Sequence, residues 1–404
     1  MIKAAAVIGA NYGDEGKGLI TDYLISSDSL ADASDSLVVR FNGGAQAGHT
    51  VQLPNDTRHV FSHFGSGTFS GAQTFLSEFF ITNPILFKKE LLKLQEHAYS
   101  PKVTVHPQSI VTTPYDMFIN QTYENFLENS RHGSCGVGIN ETVERNLNDQ
   151  YRLTVSDFFH HKIARKKLLK IRDHWTNRRL HQLIHRELSL KEKKLILSEA
   201  IFEQFLEDIE TFLNYCNISD YKFNDHTKIV FEGAQGLLLD QNHQNFPHVT
   251  RSNTGIQNVS SIALQNNISH IDIHYVTRCY LTRHGAGPLE NEMTTCPCPD
   301  FTDKTNIPHK FQGILRFAPL DIKAMNSEIN FDLQKLSKKI TKKTTLAVTC
   351  LDQFNDKISV VAGVGNFIEL QKDKFRAYIF NKTDFDDYIF SYGPTHQDCI
   401  SHKE

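Results

Sequence analysis

Residues 9–18 read Gly-Ala-Asn-Tyr-Gly-Asp-Glu-Gly-Lys-Gly and follow directly on an apolar run, Ala4-Ala5-Ala6-Val7-Ile8. Apolar residues return behind the glycines at Leu19, Ile20, Tyr23 and Leu24, at helical spacing. The order predicted is strand, glycine loop, helix. This restricts the chain more than any other segment. Such a loop turns backbone N–H groups toward an anion, and the helix N-terminus adds a partial positive charge. Lys17 adds a full one. A standard phosphate loop ends in Gly-Lys-Ser/Thr, whose hydroxyl reaches Mg²⁺. Here Gly18 replaces the hydroxyl, so a metal needs another ligand, and Asp14 inside the loop is the candidate. A carboxylate beside a phosphate repels it unless it binds metal or takes a proton.

Apolar runs of strand length recur at 36–40, 228–231, 271–281 and 345–349, with helical stretches at 16–26 and 199–216. Short continuous runs fit strands covered on both faces. The expected class is α/β: one large domain over 1–404, a central mostly parallel sheet, a P-loop-like phosphate loop and helical insertions. Ligands belong at the carboxyl ends of its strands. The 404 residues are 40% hydrophobic and 22% charged, which excludes a disordered chain. A net charge of −3 excludes nucleic-acid binding by bulk charge. No apolar run reaches the roughly 18 residues of a membrane span. The short apolar start reads as a first strand and not as a signal peptide. With seven scattered cysteines, it leads to an expectation of reduced thiols in a cytoplasm. Cys296-Pro297-Cys298 has no second pair to answer it, so no zinc site is expected.

One region departs in composition. Residues 160–194 are rich in Lys, Arg and His, inside a helical insertion expected at about 155–215. Aromatic interleaving is nearly absent. The stretch therefore reads as solvated helices with Ile163, Leu168, Leu169 and Ile171 turned to the core. Residues 294–311 hold three prolines and read as a long loop of the lid type.

Two further glycine clusters follow strands. Arg40-Phe41-Asn42-Gly43-Gly44-Ala45-Gln46-Ala47-Gly48-His49-Thr50 ends on a histidine able to enter the same crevice as Asp14. Glu232-Gly233-Ala234-Gln235-Gly236 runs on to Asp240 and then to Thr250-Arg251-Ser252-Asn253-Thr254. An amide beside glycines suits a base edge, and the hydroxyl run suits a phosphate.

Together these segments resemble the adenylosuccinate synthetase family. Its Gly-Asp-Glu-Gly-Lys-Gly is matched by residues 13–18, its Gly-Gly-x-x-Ala-Gly-His-Thr by 43–50, and its Glu-Gly-Ala-Gln-Gly-x-Leu-Leu-Asp by 232–240. Thr282-Arg283-His284-Gly285-Ala286-Gly287-Pro288, Leu351-Asp352 and Ser391-Tyr392-Gly393-Pro394 match in family order. The resemblance implies a ligase. GTP phosphorylates O6 of IMP, and L-aspartate displaces that phosphate to give adenylosuccinate, GDP and phosphate. It implies Asp14 as general base and Mg²⁺ ligand, the Gly48 carbonyl as second ligand, and His49 as an acid in phosphoryl transfer. Lys17 and the loop amides stabilise charge on the transferring group. Gly13, Glu15, Gly16, Gly18, Gly48 and Thr50 would hold the GTP phosphates, and Asp352, Ser391 and Gly393 its guanine. Gln46, Gln235, Thr250 and Gly285 would contact the purine monophosphate. The family is a homodimer in which an arginine enters the neighbour's site, and Arg145 is the nearest candidate.

The chain also departs from the family. Thr-Thr-Gly-Arg-Gly-Ile-Gly becomes His132-Gly133-Ser134-Cys135-Gly136-Val137-Gly138. The aspartate-binding Thr-Gly-Arg-Pro-Arg-Arg becomes Phe311-Gln312-Gly313-Ile314-Leu315-Arg316, leaving Arg316 with Lys310 nearby. A phage branch of the family joins aspartate to dGMP, with ATP as an alternative donor, and stays open as a reading. Its typical members carry Ser where this chain keeps Asp14, which favours IMP. A non-catalytic nucleotide-binding paralogue is the reading from another class.

Overall fold

The computed structural model describes residues 2–27, 33–128, 131, 133–220, 222–298, 313–354, 356–363 and 365–403. Lys310 and the expected lid from residue 299 to 311 lie outside them.

Ten strands among the described residues form one sheet: β1 (Lys3–Gly9), β2 (Ser36–Arg40), β3 (Gln73–Leu76), β4 (Val103–Val105), β5 (Asn217–Ile218), β6 (Lys228–Gly236), β7 (His270–Arg278), β8 (Thr341–Thr349), β9 (Asp387–Ser391) and β10 (Cys399–Lys403). Their spatial order is β10-β9-β8-β7-β1-β6-β2-β3-β4-β5. Every neighbouring pair is parallel except β9–β10. The mostly parallel α/β sheet expected from the sequence is thus the observed fold. All five residues of β2, Ser-Leu-Val-Val-Arg, are buried, because both faces of the sheet are covered.

Side chains on these strands alternate between two cores. Ala4, Ala6 and Ile8 of β1 join Leu37 and Val39 of β2 on one face. That face is covered by α9 (Ile256–Gln265), α10 (Ile322–Leu333) and α11 (Lys372–Lys382). Val7, Val38, Val230 and Val276 point the other way, against Ile20 and Ile25 of α1 (Lys17–Ser26). A third core gathers α2 (Pro84–Glu96), α3 (Pro114–Leu127) and α8 (Glu199–Tyr215) around Phe64 and Phe87, whose rings stack at 5.1 Å, and α4 (Ile139–Asn146) packs on α3.

Two expectations are refined. The apolar run 271–281 is not one strand. β7 stops at Arg278, and Tyr280–Arg283 leaves the sheet to pair antiparallel with Arg316–Pro319. In the basic region, α5 (His161–Lys170) and α6 (Thr176–Ile184) are joined by a π-helical turn at Ile171–Trp175, and α7 (Leu190–Ile196) follows. The buried stripe there is Ala164, Leu168, Ile171 and Trp175, at helical spacing. Leu168 and Ile171 face the core as expected, whereas Ile163 is 47% exposed because it lies one residue off that stripe. Among the described residues no helix is long and apolar enough to cross a membrane.

Candidate active site

Parallel strands deliver their following loops to one edge of a sheet. The first two glycine clusters follow β1 and β2 and the third forms the end of β6, strands that are neighbours in the order β1-β6-β2. Hydrogen bonds tie them together. Asn42 of the second loop donates from Nδ2 to the Ala234 carbonyl at 2.9 Å and accepts from Ala234 N at 2.7 Å. Gly43 N donates to Ser252 Oγ at 3.1 Å. Gly13 has φ 108°, a left-handed conformation, and a Cβ there would lie 2.9 Å from Gln235 Cα. Only glycine lets the first loop press on the third this closely.

The loops enclose a cavity of about 590 Å³ whose lining includes Gly13, Asp14, Gln46, Gly48, His49, Gln235 and Thr250. These residues, 237 positions apart at the extreme, were all singled out from sequence. His49 is buried, with Nδ1 2.7 Å from Glu232 Oε1. Burial pushes its pKa down to about 4, against the opposing pull of Glu232, so the ring is neutral at pH 7. Its Nε2, and both Oε1 and Nε2 of Gln46, are buried without a hydrogen-bond partner among the described residues. Each such atom costs about 1–3 kcal/mol, which a polar ligand in the cavity offsets. Gln235 is held at φ 65°, a strained backbone for a non-glycine residue and one often found at ligand sites. The Asp14 carboxylate is half-buried, 3.7 Å from His284 Nε2, and its backbone carbonyl accepts from Arg278 Nε.

Lys17 and Glu15 stand elsewhere. Lys17 is only 2% exposed, and Nζ donates to Gly13 O at 2.6 Å and to Glu15 Oε2 at 3.0 Å. Glu15 Oε1 accepts from Asn11 N at 3.1 Å and from Gly13 N at 2.6 Å. The loop's own carboxylate thus takes the amides and the ammonium that an anion would use. Gly16, Gly18 and Thr50 are not on the cavity wall; Gly16 packs on Thr349, and a Cβ on Gly18 would lie 2.9 Å from Thr50 O.

Asp352, Ser391 and Gly393 form a second place, at the ends of β8 and β9 beyond β7. Asp352 is exposed, two residues after Cys350 at φ 65°. Ser391 is buried and donates to Gly393 O at 2.7 Å. Thr349 Oγ1 donates to Glu15 O at 2.7 Å, so the phosphate loop touches this side as well.

Arg145, Arg316 and Gly285 likewise lie off the cavity wall. Arg145 is fully buried in its own chain. It pairs with Asp116 at 2.8 and 2.9 Å and donates to Tyr151 O at 2.7 Å and Val111 O at 2.6 Å. With its donors spent internally it does not reach into a neighbouring subunit. Arg316 pairs with Glu292 at 2.8 Å and donates to the Gly285 carbonyl at 3.1 Å and to Gly287 O at 2.9 Å. Gly285 therefore serves as an anchor for Arg316, while its neighbours His284 and Ala286 line the cavity. Two residues were missed, His284 beside Asp14 and Glu232 behind His49. Glu232 had a signal in the sequence: an acidic residue closing the run Ile229-Val230-Phe231 is a buried charge, which is rare unless paired.

The family model for adenylosuccinate synthetase matches residues 6–363. Adenylosuccinate synthetases of Borrelia turicatae and Thermoplasma volcanium are each 30% identical, over 295 and 298 residues. The matches cover 71% and 72% of this chain, but only 64% of either relative's length. Among solved structures, the fully ligated adenylosuccinate synthetase from Plasmodium falciparum is similar with a TM-score of 0.73 at 18% identity, covering 99% of this chain and 100% of that one. The cyanophage S-2L succinoaminodeoxyadenylate synthetase bound to dGMP and dATP is similar with a TM-score of 0.57 at 15% identity, covering 99% and 95%. These structural likenesses speak to the fold, and the sequence match adds kinship to it. With the motifs in order along one sheet edge, the chain belongs to the adenylosuccinate synthetase family.

Proposed function

We propose that the chain is a C–N bond-forming ligase, an adenylosuccinate synthetase that joins L-aspartate to IMP at the expense of GTP. The observation that carries this is the shared wall of one cavity, where the Asp14 carboxylate stands with the free Nε2 of His49 and the free amide of Gln46. A protein that only binds a nucleotide needs a carboxylate on that wall at most as a metal ligand. A ligase that must activate a purine carbonyl needs it also as a base.

In this reading Asp14 takes the N1 proton of IMP, and O6 attacks the γ-phosphorus of GTP, releasing GDP. The aspartate amine then attacks C6, and phosphate leaves with the C–O bond. Burial keeps His49 neutral until a phosphate anion beside Nε2 favours the charged ring. Lys17 and the loop amides serve the transferring phosphoryl group once Glu15 has given them up. Gln46, Gln235 and Thr250 hold the purine monophosphate, and Asp352, Ser391 and Gly393 hold guanine. Arg316 meets the aspartate carboxylates after leaving Glu292.

The Asp14 carboxylate and the Gly48 carbonyl are hard oxygen donors on the cavity wall, which fits Mg²⁺. Bound there, Mg²⁺ would neutralise charge on the nucleotide phosphates. Among the described residues no group of three His, Cys, Asp or Glu makes a cage of its own, so nucleotide phosphate and water would have to supply the remaining ligands. A homodimer in the cytoplasm, serving purine biosynthesis, belongs to the same proposal.

Mixing the purified protein with IMP, GTP, Mg²⁺ and aspartate and following absorbance tests it. Formation of adenylosuccinate is expected. Turnover only with dGMP or ATP reassigns the acceptor or donor, and a folded protein inert with every combination sinks the reading.

A further inference from the structure

Glu232 takes no part in the scheme above, yet its contacts are aimed. It lies on β6 in parallel register with Arg40 of β2 and Val7 of β1, with no exposed surface. Oε1 lies 2.7 Å from His49 Nδ1 and accepts from the Ser66 hydroxyl. Oε2 accepts from Ser66 N at 3.1 Å and stands 3.9 Å from Arg40 Nη1. An ionised carboxylate only accepts, so the proton in the contact with His49 sits on Nδ1. The other ring nitrogen then carries the lone pair, and this is the atom that lacks a partner behind the cavity wall.

We propose that Glu232 is a positioning residue for phosphoryl transfer: it fixes the ring plane of His49 and its Nδ1–H tautomer, so that Nε2 is the atom presented to the transferring group. The kinetic half of this rests on the ligase reading, and the tautomer half does not. Carboxylates held behind an active imidazole set its orientation in this way. Arg40 and the Ser66 backbone are what hold Glu232 in turn. The Ser66 N–H donates to Oε2, the Ser66 hydroxyl donates to Oε1, and the Arg40 guanidinium stands on the Oε2 side as an ion-pair partner, which together fix the carboxylate plane that His49 meets.

Glu232→Gln tests it with an isosteric side chain. The Ser66 N–H can only donate and the Arg40 cation lies on the same side, so the amide oxygen turns there, while the NH₂ faces the Ser66 hydroxyl and His49, both of which can accept. Nδ1 must then accept, and the proton moves to Nε2. In protein labelled with ¹⁵N-histidine, with His49 signals assigned by their loss in His49→Asn, we expect a protonated Nδ1 and bare Nε2 in the wild type and the reverse in the variant. Turnover in Glu232→Gln should fall about 100-fold, with KM for IMP and GTP within about threefold. A wild-type Nε2–H overturns the proposal, as does an unchanged tautomer and kcat in the variant. Should the variant not fold, the wild-type spectrum alone decides. A wild type that makes no adenylosuccinate overturns the ligase reading, while the spectra still judge Glu232.

Discussion

Asp14 and Arg145 show how the surroundings of a charged side chain decide its work. Asp14 is half-buried on a cavity wall with a histidine 3.7 Å away, a setting in which a carboxylate can exchange a proton with a ligand. Asp14→Asn should lower kcat about 10²- to 10⁴-fold while KM for both nucleotides moves little, as loss of a general base does. Steady-state kinetics retaining more than a tenth of wild-type turnover would remove Asp14 as the base. Arg145 has no exposed surface and two bonds to Asp116. Arg145→Met leaves that carboxylate buried and unpaired, so denaturant unfolding should show a loss of about 3–5 kcal/mol. Full stability with lost activity would instead return Arg145 to a ligand-binding role. In sequence the two charges looked alike, each close to a glycine-rich motif.

At the scale of elements, the phosphate loop is built by contacts with the ends of other strands. Gly13 presses on Gln235 at the end of β6, and Thr349 at the end of β8 holds Glu15 O. Gly13→Ala meets both a left-handed φ of 108° and a backbone atom 2.9 Å away. We expect a cost of about 1–2 kcal/mol, seen as a lower thermal midpoint, and weaker nucleotide binding in the same protein. An unchanged midpoint with and without nucleotide would mean that the loop does not need this conformation. The strand–loop–helix order was legible because its signals are local: an apolar run, glycines, then helical spacing. The break of 271–281 into two strands was not, because a strand leaves its sheet where neighbours stop pairing with it, here β1 at Val276 and β8 at Arg278. Ile163 failed for a related reason. The helix alone cannot say which of two apolar stripes meets the core.

For the whole molecule, buried histidines set the response to acid. Burial depresses the pKa of His49 and His274 to about 4 and lowers that of His63. A folded-state value below the unfolded one near 6.5 means that the folded protein binds fewer protons. The associated stability is complete above pH 6.5 and is lost as pH falls toward 4. Glu232, held down at about 2 by His49 and Arg40 against its burial, gives the same sign at lower pH. Asp332, raised by burial to about 6, has the opposite sign, losing its contribution as pH rises through 6. Asp22 and Asp352, also raised by burial, share the sign of Asp332. The three histidines begin to bind protons in the unfolded chain near 6.5, so thermal midpoints should fall as pH drops from 6.5 toward 4. A flat profile over that range would show that these rings are solvated.

The sequence by itself determined the class of fold, the order of its loops and the residues, Asp14 and His49 among them, that those loops carry to one cavity. Local spacing and side-chain type suffice for those. Tertiary structure alone decided that Arg145 and Arg316 spend their charge inside the chain, that Glu15 holds the phosphate loop closed on Lys17, and that Glu232 stands behind His49. Each of these depends on which residues the parallel register and the loop packing bring within a hydrogen bond of one another. Separation along the chain carries no record of that.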